Sequence, residues 1–145
     1  MKMVTKVSNW SATRYSALGA VLALTLGTMV WADEAGKTEY MNSCASCHGA
    51  DGKGVGPVAS ALAFKIPKPL TGLAAANDGV FPMLEVIQII DGRTGVRGHG
   101  TDSGMPVWGA VYKAPLVGEI GPYGTEVAVR GRILSLALYL ESIQE

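Results

Sequence analysis

The sequence predicts an all-α domain whose helices are joined by long glycine-rich loops. Three observations predict it. The stretches 81–92 and 126–143 carry apolar residues at helical spacing, with residues suited to helix ends beside them. No stretch alternates apolar and polar residues convincingly, as a half-buried strand would. Glycine and proline gather in 49–57, 92–104 and 110–125, where composition predicts loops.

The chain has 145 residues, which suits one domain. Residues 1–14 carry Lys2, Lys6 and Arg14 and no acid, and 15–32 carry no charge. The core of that run, 17–30, has the length of a secretory apolar region and is short for a membrane span of ~20 residues. Small Ala32 precedes acidic Asp33. This order predicts a signal peptide at 1–32, cleaved to release a domain of 33–145. An uncleaved membrane anchor is the alternative, and the only route to a membrane. Beyond Ala32 there are 9 bases against 12 acids, a net charge of −3 with no basic run. That balance excludes nucleic-acid binding by charge.

The helix predicted over 33–47 opens on Asp33 and Glu34, acids suited to a helix start. Gly36, Tyr40 and Cys44 fall at i, i+4 and i+8 and share one face. Gly49, Gly52, Gly54 and Gly56 end it, and Pro57 follows. A short helical piece is expected within 57–66, then a turn or extended stretch over 67–73. In 81–92, Pro82 suits the first helical position and Gly92 the end. Its β-branched run of Val86, Ile87, Ile89 and Ile90 leaves a strand as the alternative. Pro106 pushes Met105 toward extended geometry. Residues 110–125 contain three glycines and two prolines and read as irregular. In the closing helix, Leu134, Leu138 and Tyr139 lie on roughly one side, broadened by Ile133 and Leu140. Gly131 weakens that helix by ~1 kcal/mol unless a close contact requires it.

The only two cysteines stand in Cys44-Ala45-Ser46-Cys47-His48, the attachment pattern for c-type haem. Thiols three residues apart lie about one helical turn apart on one side, so each can add to one vinyl group of a porphyrin edge. His48 can then bring an imidazole nitrogen under the iron. A redox dithiol belongs after a strand in a βαβ unit, which this sequence does not predict. A zinc site would need four ligands from two Cys and two His, with His99 far off in a loop. A lone CxxC disulfide would close too small a loop to add much stability.

A haem iron held by His48 has a sixth position to fill. The candidates are Met41, Met83, Met105 and His99. Met41 precedes the attachment site on the same helix, Met83 reads as core, and His99 sits in a loose polar loop. Met105 lies between Gly104 and Pro106, 57 residues after His48, far enough along the chain to reach the opposite haem face. It is favoured, with His99 or an open position as the alternatives. Trp108 suits packing on the haem as well as it suits an ordinary core aromatic. Arg93 and Arg97 could pair with haem propionates, although solvated loop charges are the favoured reading.

With these pieces in order, residues 33–145 resemble a class I c-type cytochrome, the small monohaem kind of bacterial periplasms. Gly36, Tyr40 and Cys44 resemble the first-helix face of that family, "GMPVWG" its methionine-ligand loop and "LALYLES" its last helix. The resemblance implies a cytochrome c fold, with first and last helices crossing and loops wrapping one covalently bound haem c. It places Tyr139 across Gly36, and the Pro57 carbonyl where it accepts a hydrogen bond from the proximal imidazole. It implies thioethers at Cys44 and Cys47, and His48 and Met105 as axial iron ligands. The saturated iron suits a periplasmic one-electron carrier rather than an enzyme. Its redox partners would be a dehydrogenase, an oxidase or a membrane cytochrome complex. The alternative is a cytochrome subunit of a dehydrogenase, with 110–125 as the interface.

Overall fold

The computed structural model describes residues 34–59, 61, 67–93 and 105–145. All of them lie in the unit Ala32–Glu145. The expectations for the 1–32 leader, Asp33, Arg97 and His99, and most of that for 57–66, fall outside the described residues. Within them the fold is all-α, with no strand and a single isolated bridge at Met105. No helix of the described residues is long and apolar enough to cross a membrane.

Helix α1 covers 34–43 and runs into the one-turn helix α2, Ala45–His48. Helix α3 is Met83–Asp91, α4 is Trp108–Lys113 and α5 is Val117–Ser142. A single 3₁₀ turn, Ala75–Asn77, precedes α3. Helices α1 and α5 cross at Gly36. A Cβ there would collide with the Ser135 carbonyl oxygen and lie 2.8 Å from the Tyr139 Cβ. Only glycine allows so close an approach. Tyr40, one turn on, is fully buried with its ring centroid 5.3 Å from that of Tyr139. The expected crossing of Gly36 and Tyr139 is therefore present. Arg132 closes its flank with two hydrogen bonds to the Glu39 carboxylate, both 3.0 Å. The Arg132 guanidinium also lies 3.9 Å over the Tyr112 ring, which ties α4 to the same crossing.

The buried face of α5 includes the expected Ile133, Tyr139 and Leu140 but turns away from Leu134. Val129, Ile133, Leu136, Ala137 and Leu140 are buried, whereas Leu134 is 46 % exposed. Apolar residues follow one another almost without a break over 136–140, so periodicity alone cannot choose a face. The largest difference is in 110–125, which is mostly helical rather than irregular. Its glycines and prolines punctuate helices instead of abolishing them. Gly121 takes φ 70° and ψ 172°, breaking α5, and Pro122 restarts it where a missing N–H costs nothing. The Thr125 hydroxyl donates to the Gly121 carbonyl at 2.6 Å across the break.

Helix α3 forms as expected and the strand alternative fails. Val86 and Ile90 are buried, one turn apart. Pro82 caps the helix rather than opening its first turn. Gly92 ends it at φ 67°, its N–H donating to the Gln88 carbonyl at 3.0 Å. Just beyond, Arg93 is engaged by protein carboxylates rather than left as a solvated loop charge. It pairs with Asp91 and with Glu126 on α5, and Glu126 also binds Arg130 at 2.8 Å. Gly109 lies against this cluster, where a Cβ would collide with Asp91 Oδ1. The cluster thus joins the end of α3 to α5 beneath α4.

Two outcomes follow from these contacts. Nothing lies within 4 Å of a Cβ added at Gly131, so G131A should raise stability by ~1 kcal/mol, read as a higher denaturant midpoint with unchanged slope. Hydrogen bonds from Arg93, then Arg130, lower the Glu126 carboxyl from 4.5 to about 2. A depressed folded-state value stabilises above the unfolded value and loses that contribution as the acid form returns. The stability gap between wild type and E126Q should be constant above pH 4.5 and close as pH falls toward 2.

Candidate functional site

The attachment motif sits where α1 passes into α2. Cys44 takes φ −119° and ψ −38° at the junction, yet the helical bonding continues through it. Its N–H donates to the Tyr40 carbonyl at 2.8 Å, and the His48 N–H to the Cys44 carbonyl at 2.9 Å. Cys44 and Cys47 therefore occupy i and i+3 of a nearly continuous helix, with His48 the next residue.

The loop after His48 folds back to satisfy every carbonyl of α2. Gly49, Val58, Gly56 and Gly54 donate their N–H groups to the carbonyls of Ala45, Ser46, Cys47 and His48, at 2.9, 2.9, 3.0 and 2.7 Å. Helix ends leave such acceptors orphaned, so this wrapping fixes the direction in which α2 stops. A Cβ at Gly56 would collide with the Ser46 carbonyl oxygen, and Gly54 takes φ 93° against the Pro67 carbonyl. The Tyr40 hydroxyl donates to the Gly49 carbonyl at 2.6 Å from beneath. Burial pushes that phenol well above its ordinary value, so it stays a donor.

The motif opens onto a cavity walled mainly by apolar side chains. Cys44, His48, Met105 and Trp108 line it. Leu70 and Leu73 of the 70–74 turn form one wall; Val86 and Ile90 of α3, with Leu136 and Leu140 of α5, form others. Cys47, half-buried, stands beside the cavity and is not among its lining residues. Met41 is 47 % exposed on α1, and Met83 packs against the core from α3. Neither lines the cavity, whereas Met105 shares it with His48. Trp108 lines the cavity and also packs on Tyr112, with ring centroids 5.5 Å apart.

His48 is 8 % exposed. Burial lowers its pKa, which favours the neutral imidazole with a free lone pair. Its Nδ1 is sealed in protein with no hydrogen-bond partner, which leaves Nε2 for a bound group. The expected bond from Nδ1 to the Pro57 carbonyl is not made; the 54–58 loop is held through its own N–H groups instead. Both cysteines are free thiols. Burial, then Glu39 and Cys47, pushes the Cys44 thiol up to about 12. A redox dithiol needs the opposite shift, toward thiolate.

A family model for cytochrome c matches residues 34–107, just over half of the chain. The chain belongs to the cytochrome c family. Searches of curated proteins and of solved structures each gave no match. Membership implies covalently bound haem c, and the single Cys-x-x-Cys-His at 44–48 is consistent with one such group. The site fits it: an apolar cavity, a neutral buried imidazole on its wall and two free thiols one turn apart. The match stops at Val107, yet Trp108, Leu136 and Leu140 beyond it complete the cavity.

The Tyr40 hydroxyl was not singled out from sequence, where the residue reads as packing only. Y40F should lower stability by about 1 to 2 kcal/mol in denaturant unfolding, because it leaves the Gly49 carbonyl unpaired in a buried place.

Proposed function

We propose that the protein is a one-electron carrier whose haem c is tethered through Cys44 and Cys47 and ligated by His48 and Met105. When bound, the haem supplies an iron that alternates between ferric and ferrous states at an unchanged coordination. The observation that carries the reading is the cavity wall. It pairs one imidazole with one thioether sulfur and is otherwise apolar. His48 would hold the iron through Nε2 from the α2 side, and Met105 through Sδ from the loop before α4. Two such ligands leave no position for a substrate, which argues for transfer rather than catalysis. Thioether ligation stabilises the ferrous state and raises the potential. Leu70, Leu73, Val86 and Leu140 act in the same direction, since an apolar wall excludes water and disfavours added ferric charge.

The basic, then apolar, then small order of residues 1–32 supports export, so the proposed place of action is the periplasm. The proposed partners are a dehydrogenase on one side and an oxidase or membrane cytochrome complex on the other. A second reading, a cytochrome subunit fixed to a dehydrogenase, is favoured by exposed apolar residues in the 110–125 region. Val117, Ile120 and Tyr123 are 44, 50 and 84 % exposed there. Gel filtration of the native protein separates the two, since a subunit would persist in a larger catalytic complex.

The ligand assignment is tested by M105A. The wild-type ferric protein should give the weak red-edge absorption band of thioether-ligated haem and bind carbon monoxide slowly when reduced. M105A should lose the band and bind carbon monoxide rapidly. A band that survived the substitution would remove Met105 from the assignment.

A further inference from the structure

The segment that follows α5 carries a side chain for which the carrier mechanism has so far given no task. Gln144 makes three hydrogen bonds through its amide. Its Nε2 donates to the Leu70 carbonyl at 2.8 Å and to the Leu140 carbonyl at 2.6 Å. Its Oε1 accepts from the Ala74 N–H at 2.9 Å. Two carbonyls and one N–H can be satisfied by only one orientation of the amide, so the partners define which end points where. Glu145 adds a backbone bond, its N–H donating to the Thr71 carbonyl at 2.9 Å.

Two of the three partner residues, Leu70 and Leu140, line the cavity, and the third, Ala74, follows Leu73. Leu70 and Leu73 form the wall contributed by the 70–74 turn, and Leu140 is on the wall contributed by α5. The turn is not part of a helix, and its Leu70, Leu73 and Ala74 are held by packing on the core and by bonds to other segments. It precedes a single 3₁₀ turn, and the Leu70 N–H bond to the Gly52 carbonyl, 2.7 Å, ties it to the loop after His48. One amide therefore bridges the backbones of two walls.

Resting on the carrier reading above, we propose that Gln144 is a positioning residue for the haem. It holds the Leu70 and Leu73 wall against α5, keeps water from that side of the ring and so keeps the reduction potential high. Without the bridge the turn moves outward, water reaches the ring edge, and the ferric state gains solvation.

The test compares three haem-loaded proteins: wild type, Q144M and N77A. Methionine keeps approximately the volume of glutamine and removes all three bonds. The Asn77 side-chain amide donates to the nearby Val80 carbonyl, at 2.8 Å, so N77A disturbs the adjoining turn while leaving the three Gln144 bonds in place. The expected result is a lower midpoint potential for Q144M, a wild-type potential for N77A, and the red-edge thioether band in all three. A Q144M potential equal to that of wild type, with the band retained, would overturn the proposal. If Q144M does not yield a folded haem protein, amide exchange in wild type decides. The Ala74 N–H should be strongly protected, and exchange at the rate of a free turn amide would overturn the proposal. A wild-type protein without the band would instead count against the axial ligands, so the two failures are distinguishable.

Discussion

The contact on which the rest of the structure depends is the passage of α1 across α5 at Gly36. There the backbone of one helix meets the Ser135 carbonyl of the other with no side chain between them. That closeness sets where Tyr40 and Tyr139 meet and brings Glu39 within reach of Arg132. It also decides where the end of α1 points, and α1 delivers Cys44 and His48. Leu136 and Leu140, on the same α5, form the wall facing them. The site is built from residues far apart in the chain, and this crossing holds its two principal sides at a fixed separation.

Burial then gives the site its chemistry. His48 is kept neutral because nothing nearby stabilises its charge, and the Cys44 thiol is kept protonated mainly for the same reason. A neutral imidazole is a metal ligand, and a protonated, half-enclosed thiol is a poor redox nucleophile. Among the described residues, charged side chains pair away from the cavity. Arg93, Asp91, Glu126 and Arg130 join α3 to α5, and Arg132 and Glu39 join α5 to α1. The cavity is left apolar, as a carrier with a high potential would require.

Much of this was legible in the sequence, for physical reasons that differ by element. Covalent attachment and iron ligation impose a fixed spacing, so Cys44, Cys47 and His48 could be read from five consecutive letters. Gly36, Tyr40 and Cys44 were legible because one helical face repeats every four residues. Helix α3 was legible because its end signals agree with its periodicity. The buried face of α5 was legible only in part: Ile133, Tyr139 and Leu140 lie on it and Leu134 does not, since apolar residues surround the helix over 136–140. Helix α4 and the start of α5 were hidden because glycine and proline read as loop formers, although Gly121 and Pro122 mark a helix boundary. The engagement of Arg93 by Glu126 and of Gln144 by the 70–74 turn depends on partners 33 to 74 residues away. No local pattern encodes such contacts.

The proposed carrier requires that Met105 and His48 hold one haem iron between them. Proton NMR of the reduced haem protein tests this most directly. A methionine bound over a porphyrin lies in the ring current, and its methyl resonance moves far upfield of all other signals. The account predicts one such methyl, assigned by selective labelling to Met105, with those of Met41 and Met83 in the ordinary aliphatic range. A reduced protein with every methionine methyl in that ordinary range, or with the shifted one assigned to another methionine, would contradict it.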